Sequence, residues 1–463
     1  MVGIVKSNEG QQPRIVLSAF KGITDRLLSE ANSAKNGKFD IKGIESKHHD
    51  LMADLSSSWR KQTEPQVNRL LSELSDDLKQ VCNLGDLTAS ALDRILAYGE
   101  VLATQISAGY LAEEGLKGVP LAGIEAGILT NSDFGNATIL DESYDLVRKR
   151  LAGVRMPIVA GFFGTDKTGR IATLGRGASD YVATFLAAAL RCKTVLFKDV
   201  DGVLTADPKI VPNARLIPNL EYPIAIEIAR YGSKVLFEKA IVPAMIAKLP
   251  IEVRRFGGES SGTLVSAEGV GEAISCLKGM SIFQVPGTQS PDETGSVLKA
   301  LTEAYAGDRV AVAFGSRSGM SVTTNGDPND IASRIAGNVG GANVKVRKGF
   351  SLVTLVGRRF RLSQVSVALQ NAHIEPAAVF AMPSGTAMCA VPHEEDTDPA
   401  IRAIHEEVLG RQDMCRGADY RQARFTKIEV ARGGFERTAE GSAPVSALRV
   451  SRGVSVMSPP GCT

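Results

Sequence analysis

One feature constrains this chain more than any other: short β-branched apolar runs alternate with longer stretches of helical spacing. "RIVLSAF" (14–20), "MPIVAGFFG" (156–164), "KTVLFKDV" (193–200) and "IEVRRF" (251–256) predict buried strands. Residues 55–81 and 88–115 carry apolar side chains at helical spacing. The second helix is expected to break near Gly99 and to stop at Gly115. Strands alternating with helices predict an α/β architecture on a largely parallel sheet. At 463 residues the chain is too long for one core, so two or more domains are expected.

After about residue 270 the pattern changes. "GMSIFQVPG", "TGSVLKALTEAYAG" and "VAVAFGS" read β-α-β. "FSLVTLVG", "LSQVSVALQNAHI", "PAAVFAM", "GTAMCAVP" and "PAIRAIHEEVLG" then read β-α-β-β-α. Two successive segments of similar size and order predict a duplicated small α/β module, over 271–345 and 346–410. Residues 411–463 are rich in Arg, Ser and Gly and have little periodicity. They are expected to be a disordered tail whose removal leaves folding intact.

Several function classes fall away. A net charge of +2 argues against broad nucleic-acid binding. No apolar stretch approaches the roughly 20 residues of a membrane helix, and the N-terminus lacks the apolar core of a secretory signal. Cys82, Cys192, Cys276, Cys389, Cys415 and Cys462 form no CxxC pair, which fits reduced thiols in a cytoplasm. His48 and His49 are expected at an exposed helix or loop position.

The chemistry concentrates in a few short segments. In "TLGRGASDYVATFLAAAL" (173–190), Gly175 and Gly177 let the backbone approach a ligand, and Arg176 offers a fork of donors for a carboxylate or phosphate. Ser179 or Asp180 is placed to cap a helix beginning near Tyr181. An arginine and an aspartate side by side suit a zwitterion such as an amino acid. In "LAYGEVLA" (96–103), Glu100 is a carboxylate at an apolar helical position, costly unless paired, and so a candidate ligand group. "KDVDGVLTADPK" (198–209) puts Asp199 and Asp201 just past a strand, where open α/β sheets bind ligands, with Lys198 and Lys209 able to steer phosphates. "RYGSKVLFEKA" (230–240) places Lys234 in a helical stretch after a glycine, with Lys239 near it.

Taken in order, "VLSAFKGITDRLL", "LAYGEVLATQISAGYL", "GFFGTDKTGRIATLGRGASD", "FKDVDGVLTADPKIVPNARLIPNLEY", "YGSKVL" and "VRRFGGESSGTLVS" resemble the aspartate kinases, from about residue 14 to 410. The resemblance implies a three-layer amino-acid kinase domain with a mostly parallel sheet over 1–270, then two ferredoxin-like ACT modules. It implies ATP-dependent phosphorylation of the β-carboxylate of L-aspartate, with ATP and Mg²⁺, as the first step to lysine, threonine and methionine. It also implies a homodimer or larger homo-oligomer with an amino-acid effector at the ACT modules. Ser18 and Thr24 resemble the loop residues lining the aspartate site. Glu100 resembles the glutamate that holds the substrate ammonium, and Arg176 the arginine on the α-carboxylate, with Asp180 beside it. Lys198, Asp199, Leu204, Lys209 and Lys234 resemble residues of the nucleotide site, and Arg176, Asp180 and Lys234 are the catalytic candidates.

The resemblance has a gap. The family opens with a Lys-Phe-Gly-Gly-Thr strand and loop that holds the transferring phosphate. Here "GIVKSNEGQQPRIVLSAF" reads as the end of the first helix followed by the second strand. The expectation is a native start further upstream; the competing reading is a catalytically impaired regulatory or partner subunit acting through its ACT modules. "RFGGES" (255–260) looks like the absent motif but is expected to be a loop between late strands. Lys198 stands where many relatives have threonine and Leu204 where many have an aromatic residue, so different adenine-side contacts are expected.

Overall fold

A computed structural model of the chain describes residues 1–175, 177–258, 260–285, 310–316, 319–324, 327–338, 343–358, 360–381, 386–391, 393–410 and 454–457. The strands of the first part are Arg14–Leu17 (β1), Val119–Leu121 (β2), Leu129–Thr130 (β3), Pro157–Ala160 (β4), Phe163–Asp166 (β5), Ile171–Thr173 (β6), Thr194–Lys198 (β7), Asn219–Glu221 (β8), Ile251–Arg255 (β9) and Thr263–Ser266 (β10). The helices are Val2–Lys6 (α1), Ile23–Lys35 (α2), Lys42–Met52 (α3), Ser57–Leu84 (α4), Ala89–Glu113 (α5), Ser143–Leu151 (α6), Ala178–Leu190 (α7), Tyr222–Arg230 (α8) and Glu238–Ala247 (α9).

The main sheet contains β2, β4 and β1, all parallel, on one side and the parallel pair β7 and β9, then antiparallel β10, on the other. Both faces are covered, which is why Ile15–Leu17 of β1 and the whole of β4 read as unbroken apolar runs. The period-two alternation sorts their side chains. Val16, Val159 and Leu196 join the large core under α7, α8 and α9. Ile15, Leu17, Ile158, Val195 and Phe197 pack on the opposite face with Val5 and Leu111. Helices α2 to α5 enclose a second core around Leu27, Ile44, Met52, Leu74, Leu78 and Leu102.

β1 and β7 do not pair with each other. Val454–Met457 lies between them, antiparallel to both, with Leu17 opposite Val454 and Leu196 opposite Ser455. This corrects the expected disorder for those four residues; the rest of 411–463 lies outside the described residues. Two buried parallel strands with a vacant position between them would leave their facing N–H and C=O groups unpaired, and an extended segment satisfies them.

Other expectations are corrected as well. α5 runs unbroken through Gly99, because the glycine serves close packing rather than a break: a Cβ there would lie 2.8 Å from the Ala19 Cβ. The strand expected over 156–164 splits at Phe162, whose φ of 73° turns the chain into a separate sheet of β3, β5 and β6. His48 is buried within α3, its Nδ1 2.7 Å from the Ile44 carbonyl, and burial lowers its pKa; His49 is half-buried.

The later region is one antiparallel six-stranded sheet. Its strands are Ala273–Val285 (β11), Val310–Ser316 (β12), Gly319–Thr324 (β13), Lys345–Val356 (β14), Ala378–Ala381 (β15) and Ala387–Val391 (β16). Its helices are Pro328–Asn338 (α10), Leu362–Asn371 (α11) and Thr397–Ile404 (α12). The helix expected over 294–307 lies outside the described residues. The boundary expected at 345/346 does not separate two sheets. Ala273–Leu277 pairs with Leu352–Val356, a stretch of β14 that also pairs with β16, while Ser281–Val285 pairs with β13. The two halves therefore interleave through two long strands. The second half docks on the loop after β7: Ala206 and Val211 pack with Val365, Leu369 and Ile401, and Thr205 Oγ1 lies 3.0 Å from His405 Nε2.

Candidate functional site

The parallel strands deliver their carboxyl ends to one edge of the sheet, the place where this architecture collects ligand groups. β1 ends at Leu17, and Ser18 donates through Oγ to Ser179 Oγ at 2.7 Å. The next residue, Ala19, donates its N–H to Glu100 Oε1 at 3.0 Å. β4 ends at the same edge, and Gly161 follows it. A Cβ on Gly161 would come within 2.7 Å of the Ser179 Cβ, so glycine is required for that crossing.

Glu100 is only 3 % exposed, and its Oε2 has no hydrogen-bond partner among the described residues. Burial pushes its carboxyl up to about 8, against the opposing pull of the Ala19 N–H. A buried carboxyl with no cation beside it among the described residues is suited to receive one.

Helix α7 begins at Ala178 with Gly177, φ 77°, as its N-cap. Ser179 and Asp180 therefore occupy its first turn rather than capping a helix that starts near Tyr181. Asp180 is buried and accepts from Lys198 Nζ at 2.5 Å, across from the end of β7. The side chains of this pair are 21 % and 10 % exposed.

These hydrogen bonds thus join Ser18, Glu100, Asp180 and Lys198 into one continuous edge. Thr24 sits half-buried in the first turn of α2. Asp199 directly follows β7, and Leu204 is half-buried and bridges Leu216. Lys209 is exposed in a turn. Lys234 is exposed too, in the irregular segment between α8 and α9 rather than in a helix; Gly232, at φ 115°, lies in the turn that follows α8. Arg176 lies outside the described residues, although both flanking glycines are described. In "RFGGES", Arg255 ends β9 and residues 256–258 follow it ahead of β10, as the expected loop between late strands.

Two features escaped the sequence reading. Asp93 is 1 % exposed and accepts from Gly135 N–H, Thr173 N–H and Thr173 Oγ1 at 2.9, 2.7 and 2.8 Å. It thereby fixes the strand leading into the Gly175–Gly177 loop. Its signal was available: it precedes Glu100 by two helical turns, on the same face of α5. The second is not Lys239 itself, which the sequence placed near Lys234, but its partner: the ammonium donates to Asn136 Oδ1 at 2.5 Å beside Gly175. No sequence pattern joins residues so far apart.

Residues 2–255 match the Amino acid kinase family. The aspartokinase of Corynebacterium glutamicum is 30 % identical over 351 residues, which cover 70 % of this chain and 83 % of that one. Aspartokinase 1, chloroplastic, of Arabidopsis thaliana is 31 % identical over 339 residues, 70 % of this chain; the match spans 59 % of that relative's length. Among solved structures, E. coli aspartokinase III in complex with aspartate and ADP shares the fold, with a TM-score of 0.75 at 21 % identity, over 88 % of this chain and 95 % of that one. The chain belongs to the amino acid kinase family and, within it, to the aspartokinases.

Proposed function

We propose that this chain catalyses ATP-dependent phosphorylation of the L-aspartate β-carboxylate, giving 4-phospho-L-aspartate, the first step to lysine, threonine and methionine. The observation that carries this reading is Glu100: a buried carboxyl with one oxygen unpartnered among the described residues, bonded through Ala19 next to the Ser18–Ser179 contact at the carboxyl edge of the sheet. Its free oxygen receives the substrate ammonium. Arg176, between two glycines, takes the α-carboxylate, and Ser18 and Thr24 line the same pocket. Asp199, Leu204, Lys209 and Lys234 are assigned to the nucleotide side, and the six-stranded sheet to an amino-acid effector and to contacts between copies of the chain.

Phosphoryl transfer to a carboxylate asks the protein for alignment and positive charge rather than covalent help. Magnesium is assigned to the ATP phosphates, because this ion keeps most of its waters and takes few protein ligands. When bound, it supplies charge that offsets the negative oxygens of the transferring group.

The test is hydroxylamine trapping of acyl phosphate with ATP and either aspartate or glutamate, beside calorimetric binding of aspartate to Arg176→Ala. Aspartyl hydroxamate should form and the glutamyl product should not. Aspartate affinity should fall by about 2–5 kcal/mol in the variant if a desolvated carboxylate loses its partner. Neither product, together with unchanged binding in the variant, would refute the assignment.

A further inference from the structure

Lys198 closes β7 at the edge of the sheet where Ser18, Glu100 and the start of α7 converge. Asp180 is its side-chain hydrogen-bond partner among the described residues, at 2.5 Å. The pair is the most enclosed of the lysine–carboxylate bridges among the described residues. An ammonium has three donors, so a single carboxylate oxygen leaves two available. The contacts run in sequence from Lys198 to Asp180, then along the helix to Ser179, across to Ser18, and through Ala19 to Glu100. This edge therefore carries an acid at one end and a held cation at the other.

Resting on the kinase reading above, we propose that Lys198 is a catalytic residue that meets the transferring γ-phosphoryl group, and that Asp180 is its positioning residue. This differs from the adenine-side role expected from its place in the sequence. A compact ammonium on a flexible stem suits a group that moves between two oxygens, since it follows charge without demanding a fixed fork geometry. In the step itself, a β-carboxylate oxygen of aspartate forms a bond to the γ-phosphorus. The bond from that phosphorus to the β,γ-bridging oxygen breaks, and its electron pair leaves with ADP. No proton moves, so Lys198 stays charged throughout and stabilises the equatorial oxygens. Asp180 keeps the stem aimed and is not consumed.

The experiment uses the full chain with Lys198→Met and Lys198→Arg. Calorimetry measures ADP, a non-hydrolysable β,γ-methylene ATP analogue and aspartate, beside the hydroxylamine rate and a thermal melt. Lys198→Met should bind ADP and aspartate within about twofold of the parent and bind the ATP analogue at least about tenfold more weakly. It should also lose about 10²–10³ in kcat, the usual cost of one charge-stabilising donor. Lys198→Arg should recover part of both losses, which separates charge from folding. Equal weakening of ADP and the analogue would overturn the proposal, as would an unchanged kcat in Lys198→Met. A parent chain that binds neither nucleotide nor aspartate would refute the kinase reading itself and this inference with it. A parent that binds both but turns over slowly still decides the question through the ratio of analogue to ADP affinity.

Discussion

Aspartate binding should release a proton from Glu100, and the amount follows from the site. Burial pushes the Glu100 carboxyl from 4.5 up to about 8 in the unligated protein. At pH 7 roughly 0.9 of the molecules then carry the proton on Glu100. A substrate ammonium beside the free oxygen favours the carboxylate, so binding expels that proton. Between pH 8 and pH 6 the ammonium and both carboxylates of aspartate keep their charges. The apparent Kd should therefore weaken roughly 50-fold over that span, if the complexed carboxyl titrates well below 6. The sign for stability follows from the same shift. A raised folded-state pKa contributes stability fully present below 4.5 and lost as pH rises through about 8. That difference amounts to about 5 kcal/mol in the unligated chain. Calorimetry at pH 7 in phosphate and in Tris, whose ionisation enthalpies differ, reads the proton count as a slope. Glu100→Gln should abolish the release and weaken binding. A parent chain that releases no proton, or takes one up, would refute the reasoning, because Glu100 would not be the ammonium receptor.

Three further outcomes follow from the packing. Gly99→Ala puts a methyl 2.8 Å from Ala19; overpacking should cost about 1–3 kcal/mol and weaken aspartate binding, and a raised melting temperature would contradict this. Asp93→Ala strands three donors from Gly135 and Thr173. It should destabilise the chain by about 3 kcal/mol or more and raise the KM for aspartate; denaturant melts and initial rates check it. Removing residues 454–463 unpairs β1 and β7 and should lower stability by about 3 kcal/mol or more, so an unchanged melt would show that Val454–Met457 does not hold the sheet.

β1, β4 and β7 were legible because each is a short, largely apolar run that is buried nearly throughout; β2, three residues with an exposed first position, was not read from the sequence. The sequence could place Asp199 and Asp201 just past a strand, but the strand ends at Leu17, Ala160 and Lys198 came from the structure. Glu100 was legible as well, since a carboxylate within an apolar helical face has few structural explanations. The buried position of His48 was not, because its surroundings in "SKHHDL" are polar and the aromatic contact with Phe20 comes from another element. Nor was the interleaving of β11 with β14, since a thirteen-residue strand that serves two halves of a sheet looks, in one dimension, like the start of a single module.

Local pattern determined what this sequence could settle alone: the strand and helix periods, the glycines that flank Arg176, and the family likeness they carry. Three features depended on the tertiary structure. One is the Lys198–Asp180 pair, whose members are eighteen residues apart along the chain. Another is the hold of Asp93 on Thr173, at a separation of eighty. The third is the insertion of Val454–Met457 between β1 and β7. The physical reason is common to all three. Charge pairing and backbone pairing depend on distances of a few ångströms between elements, and those distances are set only when the helices close over the sheet.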